Sequence, residues 1–175
     1  MSKIGGSWRT RGLLALAVIV ASIAIYLLFH RGDANERIRG QLTRLTRAVE
    51  VDPGQPESPL GRIARIRGEF KELFVENVAI EIPELTALGS GRTALADAAA
   101  QAPMAYAAVK IDLASVRVTL VGEHSADVTA IATLSGTRAG GDPARDVRRV
   151  VFRFDEVDGD WRISRVQVAP RDEPS

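Results

Sequence analysis

Apolar residues recur along this chain in three rhythms, and each rhythm names a kind of element. The first is unbroken. Leu13–Phe29 holds seventeen residues without a charge or a proline. At about 1.5 Å per residue, a helix of that length spans roughly 25 Å, close to the hydrocarbon core of a bilayer. The second rhythm is helical. Ile38, Leu42, Leu45 and Val49 recur at steps of four, three and four, which predicts a helix near Asn35–Val49. A second helix is predicted from Ser58-Pro59, a capping hydroxyl followed by proline, to about Phe74. Leu60, Ile63, Ile66, Phe70, Leu73 and Phe74 form its apolar face. Between the two, the stretch from Asp52 to Pro59 holds three prolines and a glycine and predicts a loop.

The third rhythm is alternation. Val78, Ile80 and Ile82 predict a strand that stops at Pro83. Leu85–Gly91 reads as a turn region, and a short third helix is expected over Arg92–Gln101, ending before Pro103. Val109, Ile111 and Leu113 then alternate in one phase, and Val116, Val118 and Leu120 in the other. That flip predicts a bulge near Ala114–Ser115. A turn at Gly122-Glu-His-Ser leads to a returning strand, Ala126–Leu134, and a glycine-rich loop, Ser135–Asp146. Val147–Val157 and Trp161–Val168 are the last strands, joined by the two-residue hairpin signal Asp158-Gly159. The fold class is therefore α+β: one transmembrane helix, then three helices packed on a curved, mainly antiparallel sheet.

The division expected is a cytoplasmic tail at 1–11, a transmembrane helix at 12–30, a linker at 31–35, a folded domain at 36–169 and a disordered tail at 170–175. Leu13 and Phe29 bound the membrane anchor, with Trp8 and Tyr26 near the two interfaces where amphipathic rings sit. A cleaved signal peptide is the alternative. Its apolar part is usually shorter, about 7–15 residues, and the one small-residue site here, Gly32-Asp33-Ala34, follows an arginine. The short tail before the helix carries Lys3, Arg9 and Arg11 and no acid, so it stays inside. The C-terminal domain then lies outside, in the periplasm of a bacterial cytoplasmic membrane.

Charge narrows the partners. From residue 31 onward the chain carries 20 Lys and Arg against 22 Asp and Glu, or −2. That balance does not suit a nucleic-acid binder. Arginine far exceeds lysine, which fits a high-GC bacterial coding bias. No cysteine is present, which rules out disulfides, thiol nucleophiles and thiolate metal sites.

The order of elements resembles the nuclear transport factor 2-like superfamily, also called SnoaL-like or cystatin-like. The stretches that carry the likeness are Phe74–Pro83, Gly91–Leu95, Val147–Phe154 and Asp158–Ile163. The resemblance implies a cone: a curved sheet wrapped around helices, with a mouth that often holds a ligand and a sheet that often mediates dimers. Members of the superfamily include isomerases, cyclases, hydrolases and non-catalytic modules. In the steroid-isomerase branch an aspartate base stands between a glutamate and a proline. Here Glu81 and Pro83 match but Ile82 stands at the base position, and isoleucine accepts no proton. The tyrosine that branch places on its first helix has no counterpart between Asn35 and Val49.

Other chemistry is thinly represented. The two histidines, His30 and His124, form no metal-ligand pair, and His124 reads as a solvated turn residue. Asp155, Asp158 and Asp160 lack calcium-loop spacing and suit a hairpin better. No metal, cofactor or catalytic residue is therefore assigned. Candidate pocket groups are Tyr106, Glu81, Asp97 and Asp112, with Glu72 and Thr133 as lesser ones. Trp161 reads as a core residue closing the last hairpin. Two functions follow. One is an anchored non-catalytic domain that recruits or positions a protein partner, or a second copy, in an envelope complex. The other is an anchored binder or enzyme acting on a small apolar, lipid-like or polyketide-like ligand held in the cone.

Overall fold

The computed structural model of the chain describes residues 34–54, 57–83, 91–138 and 140–170. The chain divides into two compact units, 1–36 and 37–175. Of the first, residues 34–36 are described and are helical. Among the described residues no helix is long and apolar enough to cross a membrane. The anchor expected at 12–30, with Leu13, Phe29, Trp8 and Tyr26, lies outside them, as does the tail from residue 171.

The elements run α1 (34–49), α2 (Pro59–Leu73), β1 (Phe74–Glu81), α3 (Arg92–Ala105), β2 (Tyr106–Leu120), β3 (Ser125–Arg138), β4 (Pro143–Val157) and β5 (Asp160–Val168). Five strands form one curved sheet in the order β1-β5-β4-β3-β2. Strands β2 to β5 are an antiparallel meander, and β5 arrives beside β1 running parallel to it. The sheet is thus mixed, with a single parallel pairing.

Local chemistry sets the element ends. Ser58 caps α2 by accepting from the Gly61 amide at 3.1 Å, and Pro59 supplies a preset helical φ at a position that needs no donor. The capping hydroxyl fits because residue 61 is glycine; a Cβ there would come within 2.9 Å of Ser58 Oγ. Helix α2 passes straight into β1. Phe74 is already extended, and its ring sits 4.9 Å from that of Phe70.

The alternation predicted well where both phases were apolar. The bulge falls between Ala114 and Arg117, with Ser115 at a φ of 53°. The β4–β5 turn has Asp158 at 55° and Gly159 at 83°, the left-handed pair of a type I′ hairpin. Three expectations are corrected. Helix α3 does not stop before Pro103 but runs to Ala105. Proline this close to a helix end removes only one internal hydrogen bond, and the Tyr106 amide closes the helix on Ala102 O. Most of the stretch 135–146 is strand and not loop: β3 runs to Arg138 and β4 begins at Pro143. Leu134 pairs with Asp146, Ser135 with Arg145 and Thr137 with Pro143. The weak strand formers there are held by ladders on both sides, since β2 backs the same residues. Leu60 is not on the buried face of α2 but 80 % exposed.

The core lies on one face of the sheet. Ile38 and Leu42 of α1 and Ile66, Phe70 and Leu73 of α2 are buried. So are Val128, Phe152, Phe154 and Ile163 from the sheet. Trp161, 3 % exposed, closes this core beside the last hairpin. In register, Ala126, Phe154 and Ile163 lie side by side across three strands, so the small residue makes room for the ring. Each such side chain contributes about 1.5–3 kcal/mol through burial.

Candidate functional site

A polar cleft opens where α1 ends. After α1 the chain turns along the sheet edge, and Val51 exchanges two backbone hydrogen bonds with Val109, at 2.9 and 3.1 Å. This places Glu50, Asp52 and Pro53 over the start of β2. The first turns of α2 approach from the other side with Glu57, Arg62 and Arg65. Pro103 and Tyr106 complete a cleft of about 740 Å³.

Two arginines of α2 dominate it. Arg62 donates to the backbone carbonyls of Glu50 at 3.1 Å and Val49 at 3.3 Å. Arg65 donates to Ala48 O at 3.0 Å and grips the Glu57 carboxylate at 2.9 and 3.0 Å. Three successive carbonyls at the end of α1, which have no partner within the helix, are thereby satisfied by cations. Burial, followed by the repulsion of Arg65, pushes the Arg62 guanidinium below its usual range. The bond to Glu57 raises Arg65, and the same bond lowers Glu57. Arg62 Nε is buried with no hydrogen-bond partner.

Of the expected pocket residues, only Tyr106 reaches this cleft. Its ring lies against Gly136, where an added Cβ would sit 3.5 Å from Tyr106 Cδ1. The acids lie elsewhere, and Glu81, Asp97 and Asp112 each pair with a cation. Glu81 ends β1, 3.7 Å from Arg165 Nε. Asp97 of α3 accepts from Arg67 Nε and Nη2 at 3.1 and 2.8 Å. Asp112 is exposed on β2, 3.0 Å from Lys110 Nζ, and lies opposite Thr133. Glu72 is exposed on α2. These groups do not converge.

His124 stands in the β2–β3 turn, its Nδ1 2.9 Å from Glu156 Oε2. Several arginines of α1 are spent within the fold. Arg37 reaches the carbonyl of Gly159, Arg39 donates to Val116 O at 2.9 Å, and Arg44 pairs with Glu69.

The sequence reading missed Arg62. The signal was available: Arg62, Ile66, Phe70 and Leu73 recur at four, four and three, and all are buried. A cation at the head of an apolar stripe was passed over in favour of the neighbouring Leu60 and Ile63.

Three helices on a curved mixed sheet with this order place the molecule in the nuclear transport factor 2-like fold class. A family model described as the SnoaL-like domain matches residues 64–167, more than half of the chain, and the chain belongs to that family. Solved structures agree on the fold. A nuclear transport factor 2 superfamily protein from Salmonella enterica serovar Typhimurium superposes with a TM-score of 0.63 at 15 % identity, covering 83 % of this chain and 96 % of that one. A protein from Novosphingobium aromaticivorans with a cystatin-like fold gives 0.61 at 18 % identity, covering 89 % and 90 %. A hexachlorocyclohexane dehydrochlorinase gives 0.63 at 13 % identity, covering 81 % and 87 %. No protein of curated function matches the chain.

Proposed function

We propose that this chain is a non-catalytic SnoaL-like module, tethered to a membrane by its apolar N-terminal segment, that positions a protein partner in an envelope complex. One observation carries the reading: the acids that could serve chemistry are dispersed over β1, α3 and β2, each beside a cation at the surface. Proton transfer needs an acid or base within hydrogen-bond reach of a bound substrate, in a site the other groups share. The buried core between helices and sheet, Ile38, Ile66, Phe70, Phe154 and Ile163, offers no such group, and Asp146, which shares the inward parity of Phe154 on β4, is held by Arg148 at 2.8 Å. The tether rests on the uninterrupted apolar run of 13–29, with the cationic tail inside and the domain outside. The test is alkaline extraction of native membranes followed by protease protection. Retention in the pellet, with the domain cleaved only from the outer side, is the expected result. Release into the supernatant refutes the tether.

A second reading is favoured by the cleft beside Tyr106. Its volume suits a small ligand, and Tyr106 brings a hydroxyl to a wall of charged residues interspersed with Val51, Pro53 and Pro103. The dehydrochlorinase shows that the fold can carry an enzyme. Because the lining is dominated by charge, a ligand here is polar at one end rather than wholly apolar. Isothermal titration of the full chain with such compounds separates the readings; heat lost in Tyr106→Phe would favour this one.

A further inference from the structure

The sheet has a second face, and its charges are not balanced. Strand parity puts Asp127, Thr129, Ile131 and Thr133 of β3 opposite the side that buries Ala126, Val128 and Ala130. Ion pairs between and along the strands agree with this orientation. Arg153 of β4 meets Asp127 at 2.8 Å and Asp155 at 3.5 Å, and Arg165 of β5 meets Glu81. Lys110 pairs with Asp112 on the same side. Every one of these acids therefore has a cation beside it.

Three arginines on this face have none. Arg117 of β2 stands level with Thr129 and Val151, Arg149 of β4 stands opposite Ile131, and Arg145 stands opposite Ser135. Their guanidinium groups make no ion pair or hydrogen bond among the described residues. Between Arg145 and Arg149 lies Val147, 53 % exposed in the middle of a paired strand. Ile131 and Val151 extend the apolar strip and are half-buried. Four residues of strand separate Arg145 from Arg149 by about 14 Å, and Arg117 lies about 12 Å from Arg149 across two strand spacings.

We infer that this outer face docks an acidic segment of a partner protein, one with carboxylates about 14 Å apart flanking an apolar side chain. An extended segment with acids at positions i and i+4 and an apolar residue at i+2 has that spacing, because alternate side chains share a face. Charge complementarity selects the partner. The part of the chain after residue 30 is net negative, −2, yet three arginines with no acid beside them stand together on this face. Arginine beside exposed aliphatic surface is the composition of an interface centre. No aromatic side chain stands among these positions, so the stacking that single-stranded nucleic acid requires is missing from them. This deepens the partner-positioning reading by naming the partner's chemistry, and it stands whether or not the tether does.

The test uses the full chain in mild detergent and a labelled ten-residue peptide, alternating threonine with Glu, Val and Glu, followed by fluorescence anisotropy. Saturable binding that falls with salt is expected. The triple variant R117E/R145E/R149E weakens it at least tenfold, while Lys71→Glu, the same charge reversal as each single change but on the exposed face of α2, stays within twofold. Circular dichroism reports whether the triple variant is folded; if it is not, the three single variants are read instead, each weakening binding two- to fivefold. Equal binding by folded variant and parent overturns the inference. So does a variant that binds the peptide normally but loses vesicles containing phosphatidylglycerol, which would make the face a lipid contact. A native mass that halves in the variant, with peptide binding intact, would make the occupant a second copy and equally overturn it. Alkaline extraction reads the tether separately.

Discussion

Replacing Arg62 by methionine tests whether its buried guanidinium is a structural cap. The side chain is 7 % exposed and donates to Glu50 O and Val49 O. Charge-assisted hydrogen bonds contribute about 1.5–3 kcal/mol each, and a cation at a helix C-terminus about 0.3–1 kcal/mol. Against these stands the cost of burial, visible in the lowered affinity of Arg62 for its proton and in the orphaned Nε. Glu57 is not stranded by the change, because Arg65 still holds it at 2.9 Å. The carbonyls border an open cleft, so water replaces part of the lost bonding. Methionine keeps most of the apolar stem of this buried side chain. The balance is a loss of about 2 kcal/mol, and alanine, which also leaves a void, costs about 3–4 kcal/mol. Urea unfolding of the full chain, followed by fluorescence of the buried Trp161 in a Trp8→Phe background, measures both. A methionine variant as stable as the parent would show that the guanidinium caps nothing of value, and would move Arg62 from the frame of the fold to a ligand site.

Other outcomes follow from the same structure. Phe154→Ala removes a ring with no exposed surface and costs about 3–5 kcal/mol in the same urea assay. Gly91→Ala forces a side chain onto a φ of 91° and brings its Cβ to 3.2 Å from Glu76 O; a loss of about 1–3 kcal/mol is expected, and a neutral result would contradict the assigned backbone. Glu57 titrates below its ordinary value of 4.5 when folded, so its contribution is complete above that value and is lost as the pH falls through the lower folded one. Glu57→Gln therefore flattens the acid limb of stability below about pH 4.5, read from urea midpoints at several pH values. Tyr106→Phe removes a hydroxyl that makes no hydrogen bond among the described residues, and thermal melts should agree within about 0.5 kcal/mol.

What the sequence could show depended on how each signal is encoded. The bulge near Ser115 and the hairpin at Asp158-Gly159 were legible because phase and left-handed residues are local properties. The parallel pairing of β1 with β5 was not, since nothing in Phe74–Glu81 records which strand returns beside it. The ladder through Ser135, Gly136 and Thr137 was hidden because its strength comes from β2, not from those residues. The site fared worse than the fold. Tyr106 lines a cleft, whereas Glu81, Asp97 and Asp112, chosen for their chemistry alone, do not converge with it. Their partners, Arg165, Arg67 and Lys110, stand up to 84 positions away in the sequence, as for Glu81 and Arg165. Arg62 escaped notice for a related reason: its partners are backbone carbonyls, which no residue pattern marks.

Native mass spectrometry of the full chain, released gently from its own membranes, tests the central claim most directly. A non-catalytic partner-positioning module carries additional mass of protein size and no stoichiometric small molecule. A bound species of a few hundred daltons, retained by the parent and lost in Tyr106→Phe, would contradict the account and make the cleft beneath α1 the working part of the molecule.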